Sequence, residues 1–433
     1  MAQLTITRKL DAGERFFWLL DRMSGMNFVV FAEIAGVLAP ARVQHALGRA
    51  QETHPLLRTK IAAKPNGELW FEPATVPLVS TMLDVTRQNW KQAIEEELSY
   101  AFSLDEAPLL RCRYLQFTDA DRSVLALTFH HTIADGRSGA ELLREILAHA
   151  LQSEKDDHAG GRIHPPMHAA FPEKYRWEKN ADAATALAGI RRQELKRHGR
   201  PSALAWLSQK QKQRVPRFMR LEFDAAALLA RCRVHGATLH GALGAAQLCA
   251  TFEAMATGEP QTLGLGSPAD MRPHLDGDIP IAGLGLYVTL LHSNYRVGAD
   301  TSFWELARDI GADIKRQLAR GDGHLLFTQI QPEAFPPTEE GIAAFSDLML
   351  ASPQSAMISN IGAVETVDGI PEVESISFTL CPVPYQVMFT AASTYRGRLI
   401  LNLAYDAAKL RAEHAERWIN SIEQNLRAAL LSE

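Results

Sequence analysis

The sequence predicts a mixed α/β (α+β) protein built of two domains. Its 433 residues exceed one ordinary core and suit two domains of about 200 residues each. Strand-like and helix-like periodicities alternate in both halves. A polar stretch at 153–172, rich in Asp, Gly, His and Pro, reads as a linker. The expected division is therefore 1–175 and 176–433. Hydrophobic residues make up 46% and charged residues 22%, a globular rather than a disordered composition.

Residues 11–24 place Phe16, Phe17, Leu19 and Leu20 on an amphipathic helix, with Asp11 positioned to cap it. A strand is expected at 27–34. A helix at 40–53 opens on Pro40 and closes ahead of Pro55. Short strands at 60–63 and 69–73 flank the turn Pro65-Asn66-Gly67. A helix at 90–101 precedes β-rich runs at 109–117 and 123–130. The next helix, 137–151, gathers Leu142, Leu143, Ile146 and Leu147 on one face. Past the linker, a charged helical segment at 180–198 leads to a strand at 217–223 and helices at 225–234 and 239–256. Strands are expected at 262–266, 284–291, 354–360, 375–379, 386–395 and 398–405, and helices at 302–320 and 407–431. No short-period repeat is visible.

Charge and cysteine usage exclude several classes. The net charge is -5 and no Lys/Arg block stands out, so nucleic acid is not an expected partner. A local basic patch could still receive an acidic carrier protein. Cys112, Cys232, Cys249 and Cys381 lie far apart without a CxxC spacing, as buried thiols of a reducing compartment do. Residues 1–9 lack an apolar signal core, and no run of about 18 apolar residues could span a membrane. A cytoplasmic monomer is the expectation.

The chemistry concentrates in Phe129-His130-His131-Thr132-Ile133-Ala134-Asp135-Gly136, between a β-rich run and a helix. The run 124–129 delivers His131 to a strand end, and Gly136 lets the chain turn sharply into the helix. Imidazole titrates near neutrality, so His131 could serve as a general base. Taken alone, the spacing fits a hydrogen-bonded core histidine and a helix-capping Asp135 better than it fits catalysis. A metal triad ranks lower still. His130 and His131 are adjacent and would point to opposite faces of a strand, and no second ligand cluster accompanies them.

The surrounding segments shift that balance. His130-His131-Thr132-Ile133-Ala134-Asp135-Gly136 resembles the HHxxxDG signature of the chloramphenicol-acetyltransferase-like superfamily. That group includes peptide-synthetase condensation domains, polyketide-associated acyltransferases and wax-ester synthases. Thr53-His54-Pro55-Leu56-Leu57-Arg58-Thr59 resembles the condensation-type RHExLRT segment, with Pro55 in place of glutamate. The run 12–19 is similar to AQxRLWxL, with Gly13 replacing glutamine, and Pro268-Ala269-Asp270-Met271-Arg272-Pro273 is similar to PVDLRP. Together these pieces cover nearly the whole chain.

The resemblance implies two chloramphenicol-acetyltransferase-like domains with mixed sheets and an active-site tunnel between them. It implies His131 as base acting directly on the acceptor, without an acyl-enzyme. Asp135 is expected to face away from the tunnel and pair with Arg272. His130 is expected to be structural, Gly136 to keep the helix start close to the tunnel, and Asn360 of Ser359-Asn360-Ile361-Gly362 to contact the acceptor or the oxyanion unless it is a turn asparagine. The donor would be a phosphopantetheine or CoA thioester, with no metal and no tightly bound cofactor. An acyl or peptidyl carrier protein is the implied partner and a small-molecule alcohol or amine the acceptor. The HQDYPFE-like and RDxSRNP segments of condensation domains are absent, and Tyr287-Val288-Thr289-Leu290 lacks the asparagine of FVNT. These departures favour a stand-alone acyltransferase forming esters on a lipid, polyketide or other natural product. A free-standing amide-forming condensation enzyme is the alternative, and a catalytically silent carrier-binding module a further one.

Overall fold

The computed structural model describes residues 6–151, 177–202, 214–275, 283–328, 330, 332–351, 353–367 and 372–432. The expected linker at 153–172 lies outside them. In chain order the elements are β1 (Arg8–Lys9), α1 (Ala12–Ser24), β2 (Asn27–Ala35), α2 (Pro40–Thr53), β3 (Thr59–Ala63), β4 (Leu69–Pro73), β5 (Ser80–Val85), α3 (Trp90–Ser99), β6 (Leu110–Phe117), β7 (Arg122–His130) and α4 (Gly136–Leu151). They continue with α5 (Trp177–His198), β8 (Pro216–Asp224), α6 (Ala225–Val234), α7 (Leu239–Met255), β9 (Gln261–Asp270), β10 (Val288–Val297), α8 (Phe303–Arg320), α9 (Asp322–Thr328), α10 (Glu339–Leu350), β11 (Ala356–Ala363), β12 (Val373–Leu380), β13 (Met388–Tyr395), β14 (Arg398–Asp406) and α11 (Ala412–Leu431). The class is the mixed α/β expected.

The chain divides into two compact units. The first comprises Met1–Pro172, Asp270–Val288 and Ile361–Leu380, and the second Glu173–Ala269, Thr289–Asn360 and Cys381–Glu433. A contiguous division at 175/176 differs from this in the two later segments, which belong to the first unit.

In the first unit, a five-stranded sheet has the order β12-β2-β7-β6-β5, and a small sheet has the order β1-β4-β3. Strands β2 and β7 pair antiparallel in a register that matches Asn27 with His130. That register makes His130 the last strand residue and sends His131 into the following turn. Helix α1 opens with a full capping box: Asp11 accepts from the Glu14 N–H, and Glu14 accepts from the Asp11 N–H. Helix α4 lies directly on the sheet. A Cβ added at Gly139 would come within 3.1 Å of Phe28 and Val30 and 3.2 Å of Phe129, so this glycine permits the close approach.

The second unit holds a six-stranded sheet of order β10-β9-β11-β13-β14-β8. Its core joins Leu263, Leu265, Ile358, Leu401 and Leu403 of the sheet to Trp418, Ile419 and Ile422 of α11. Helices α7 and α8 touch at the backbone, where a Cβ on Gly241 would fall 2.1 Å from the Ala307 carbonyl oxygen.

Several elements depart from expectation. Strand β5 was not expected, because its run of mostly exposed residues shows no alternation. The strand expected at 284–291 begins only at Val288. Leu284, Leu286 and Tyr287 are buried in an irregular segment instead, an apolar run that imitates a strand. Helices α9 and α10 were not expected either.

Candidate active site

His131 stands in the turn between β7 and α4, and main-chain bonds fix that turn from both sides. The His130 N–H donates to Leu109 O and the His131 N–H to Met26 O, each at 3.0 Å. The Asp135 N–H donates to Gly285 O at 3.0 Å. The histidine is thus carried by rigid elements rather than by a free loop.

The two histidines occupy different surroundings. His130 is fully buried: its Nδ1 is 2.7 Å from Thr132 Oγ1, its Nε2 is 3.4 Å from Asp21 Oδ1, and Phe102 meets its ring edge-on. Burial would raise the Asp21 carboxyl, but His130 and the Met26 N–H hold it well below the usual carboxylate range. His131 is only partly buried. Its ring lies between Phe17 at 4.3 Å and Phe28 at 4.7 Å, centroid to centroid. Burial pushes its pKa down to about 4, and the nearby backbone and the Asp135 charge offset this only in part. The ring is therefore neutral at pH 7. Its Nδ1 is sealed from solvent, and the ring lies against the backbone of His131 and Ala134.

Asp135 is buried and fully engaged. Oδ1 accepts from the Ser138 N–H at 2.8 Å, and Oδ2 accepts from the Tyr287 N–H at 2.9 Å. Arg272 Nη1 lies 3.1 Å from Oδ2, and Arg272 Nη2 lies 3.3 Å from Oδ1. Asp135 caps α4 and pairs with arginine at once, so the two sequence readings of this residue are not exclusive. Burial would raise its pKa, but Arg272 and the two N–H donors outweigh burial and hold it low. Arg272 in turn bonds Asp270 Oδ1 at 2.9 Å, and its guanidinium stacks over the Tyr287 ring at 4.3 Å. Arg137 Nη1 closes the chain of alternating charges, 3.0 Å from Asp270 Oδ2.

Gly136 serves by its small size rather than by its backbone angle. It is not among the glycines with a positive φ, so no unusual turn requires it. Space does: an added Cβ would lie 3.1 Å from Ile361 Cγ2 and 3.5 Å from the Phe378 ring. Asn360 is a partly buried residue of β11 in the second unit, not a turn asparagine. His54 of the RHExLRT-like segment ties the end of α2 to α4, with Nε2 2.9 Å from Glu145 Oε2. Sequence reasoning missed Phe17, Phe28, Ser138 and Tyr287. Ser138 carried a local signal, three residues past Asp135 as in a reciprocal cap. Among the described residues, no group of three His, Cys, Asp or Glu could hold a metal ion, and no helix is long and apolar enough to cross a membrane.

Comparison with known proteins places the fold. Two solved structures align along its length. Polyketide synthase associated protein 5 from Mycobacterium tuberculosis has a TM-score of 0.65 at 20% identity, with all of both chains covered. Trichothecene 15-O-acetyltransferase from Fusarium sporotrichioides has a TM-score of 0.71 at 12% identity, covering 98% of this chain and 95% of that one. At such identities the likeness is one of fold. Residues 212–404 match the family described as phthiocerol/phthiodiolone dimycocerosyl transferase C-terminus. Phosphinothricin tripeptide synthetase PhsC of Streptomyces viridochromogenes is 26% identical over 344 residues, 75% of this chain. Tyrocidine synthase 3 of Brevibacillus parabrevis is 30% identical over 140 residues, 31% of this chain. The chain matches only 31% of the length of the first of these relatives and 2% of the second.

Proposed function

We propose that the chain is an acyltransferase that moves an acyl group from a carrier-protein or CoA thioester to a hydroxyl of a lipid, polyketide or other natural product. The observation that carries this reading is the placement of His131: neutral at pH 7 and fixed in a turn that Asp135 and Arg272 clamp. In the proposed step, Nε2 takes the acceptor's hydroxyl proton as its oxygen attacks the thioester carbonyl. The C–S bond then breaks, and the leaving thiolate takes the proton back from the imidazolium. No acyl-enzyme forms. Asp135 holds the turn and does not touch the reacting atoms. Asn360 is kept as a proposed contact to acceptor or oxyanion.

The pH dependence tests the base. A depressed pKa means the proton-free ring is present above about 4 rather than above 6.5. The acid limb of kcat/KM is therefore expected near pH 4 to 5, with a plateau through neutrality, as measured with a small thioester donor. A limb centred at 6.5 would mean that His131 is not held in this apolar setting.

The peptide-synthetase relatives favour a second reading, amide formation on an amine acceptor. One acyl thioester offered together with matched alcohol and amine acceptors separates the two. The ester reading expects ester in excess, and exclusive amide by mass spectrometry would overturn it.

A further inference from the structure

The corner between α1 and β2 grips His131 at three points. Phe17 of α1 and Phe28 of β2 lie against its ring, at 4.3 Å and 4.7 Å between centroids. Between them in sequence, Met26 O accepts the His131 N–H at 3.0 Å. The Met26 peptide is itself held by a side chain, since its N–H donates to Asp21 Oδ1 at 2.8 Å. Asp21 follows Phe17 by one helical turn, so both project from the same face of α1. Gly25 makes the corner possible. It ends the helix at a φ of 76° and a ψ of 133°, and its N–H donates to Asp21 O at 2.6 Å.

The same Asp21 oxygen faces the neighbouring histidine. The Thr132 N–H donates to His130 Nδ1 at 3.2 Å, so the His130 ring proton sits on Nε2. That nitrogen lies 3.4 Å from Asp21 Oδ1. One oxygen therefore stands against both the His130 side chain and the peptide that holds the His131 backbone. The Asp21 side chain is 2% exposed, which leaves solvent little competition for these contacts. Its other oxygen, Oδ2, turns to Arg22 Nη2 at 3.0 Å, and that arginine is half-exposed. The charge is thus met near the surface, while Oδ1 does the holding inside.

We infer that Asp21 is a positioning residue for His131. Through Oδ1 it fixes the Met26 peptide and the His130 ring, and these keep the His131 imidazole aimed between Phe17 and Phe28. Asp21 touches no reacting atom. Its part in catalysis rests on the reading of His131 as the base of the proposed transfer. What matters is the place of the oxygen rather than its charge. A base that loses its aim costs rate and leaves substrate affinity alone.

The test separates place from charge in the full chain. Asp21→Asn keeps an acceptor oxygen at the Oδ1 position without the charge. Asp21→Glu keeps the charge and shifts the oxygens by a methylene. Asp21→Leu keeps the bulk and removes both. With an acyl N-acetylcysteamine thioester as donor, kcat is expected to fall about 10²-fold in Asp21→Leu and about tenfold in Asp21→Glu, as small displacements of a catalytic group do. The donor KM stays within about twofold, and Asp21→Asn keeps kcat within about threefold of wild type. A second readout needs no substrate: titration of the His131 ring by nitrogen NMR, assigned against His131→Ala. The wild-type ring titrates near 4. In Asp21→Leu and Asp21→Glu the loosened ring gains solvent and titrates closer to 6.5, while in Asp21→Asn it stays low. Asp135 and His130, the charges that act on this ring, are present in every variant.

Rates and ring titration unmoved in Asp21→Glu and Asp21→Leu would overturn the assignment, even if stability fell, because Asp21 would then be structural only. Asp21→Asn as slow as Asp21→Leu would overturn it as well, by making the charge the working part. Should Asp21→Leu not fold, the contrast between Asp21→Asn and Asp21→Glu decides. Failure of the wild type to transfer from any thioester sinks the functional reading instead, and the ring titration still decides whether Asp21 holds His131.

Discussion

His131→Ala is expected to lower turnover by about 10²–10⁴-fold, the usual contribution of a positioned general base. It should do so with little change in unfolding midpoint. The ring's aromatic neighbours, Phe17 of α1 and Phe28 of β2, are held by their own elements and stay in place without it. The contrast with His130→Ala makes the measurement discriminating. His130 is fully buried, touches Thr132 Oγ1 at 2.7 Å and faces the Asp21 carboxylate, so its loss leaves buried polar groups unmatched. That variant should lose stability first and activity as a consequence. Product formation by His131→Ala at the wild-type rate, with the same donor, would remove the residue from the mechanism.

Arg272→Met is expected to cost about 3–5 kcal/mol, because it strands the Asp135 carboxylate in a buried setting. The Ser138 and Tyr287 N–H groups still donate to that carboxylate, but the charge has no counterion at contact distance. Asp135→Asn should cost less, since an amide oxygen can keep one of the two backbone bonds. The double variant should recover part of the Arg272→Met loss, as paired buried charges do when both are removed. Denaturant unfolding read separately from activity checks this. Equal midpoints for wild type and Arg272→Met would show that the ion pair is dispensable. The sign with pH follows from the depressed Asp135 pKa. Its contribution is complete above the unfolded value of 3.8 and is lost as pH falls through the lower folded value. The gap between wild type and Asp135→Asn should therefore narrow in acid.

The local parts of this architecture could be read from the sequence because they are encoded locally. Asp11 and Glu14 announce the cap of α1, Pro40 the first turn of α2, alternating apolar residues the strand β6, and a continuous β-rich run the strand β7. What could not be read depends on partners far along the chain. Strand β5 has little burial of its own and exists because β6 offers it a parallel edge. The stretch 284–287 is apolar enough for a strand, yet its backbone is committed to Asp135 and Ser138 through Gly285 and Tyr287. The pair Asp135 and Arg272 was proposed from resemblance. Spacing alone could not have found it, since 137 residues separate the two. Gly136 shows the same limit: its requirement is set by Ile361 and Phe378, which no local pattern around position 136 contains.

Strand β12 has a consequence for how the protein is made. It pairs antiparallel along β2, from Val373 with Ile34 to Leu380 with Phe28, and so completes a sheet begun some 340 residues earlier in the chain. During synthesis, β2 waits with one edge open until residue 380 has emerged, carrying Phe28, Val30 and Ala32 on a strand that other chains could extend. A fragment ending at residue 175 would carry that same open edge permanently. Splitting the gene at the 175/176 boundary should therefore yield an aggregating first piece. A segment spanning 361–380, supplied in trans, would be the natural rescue.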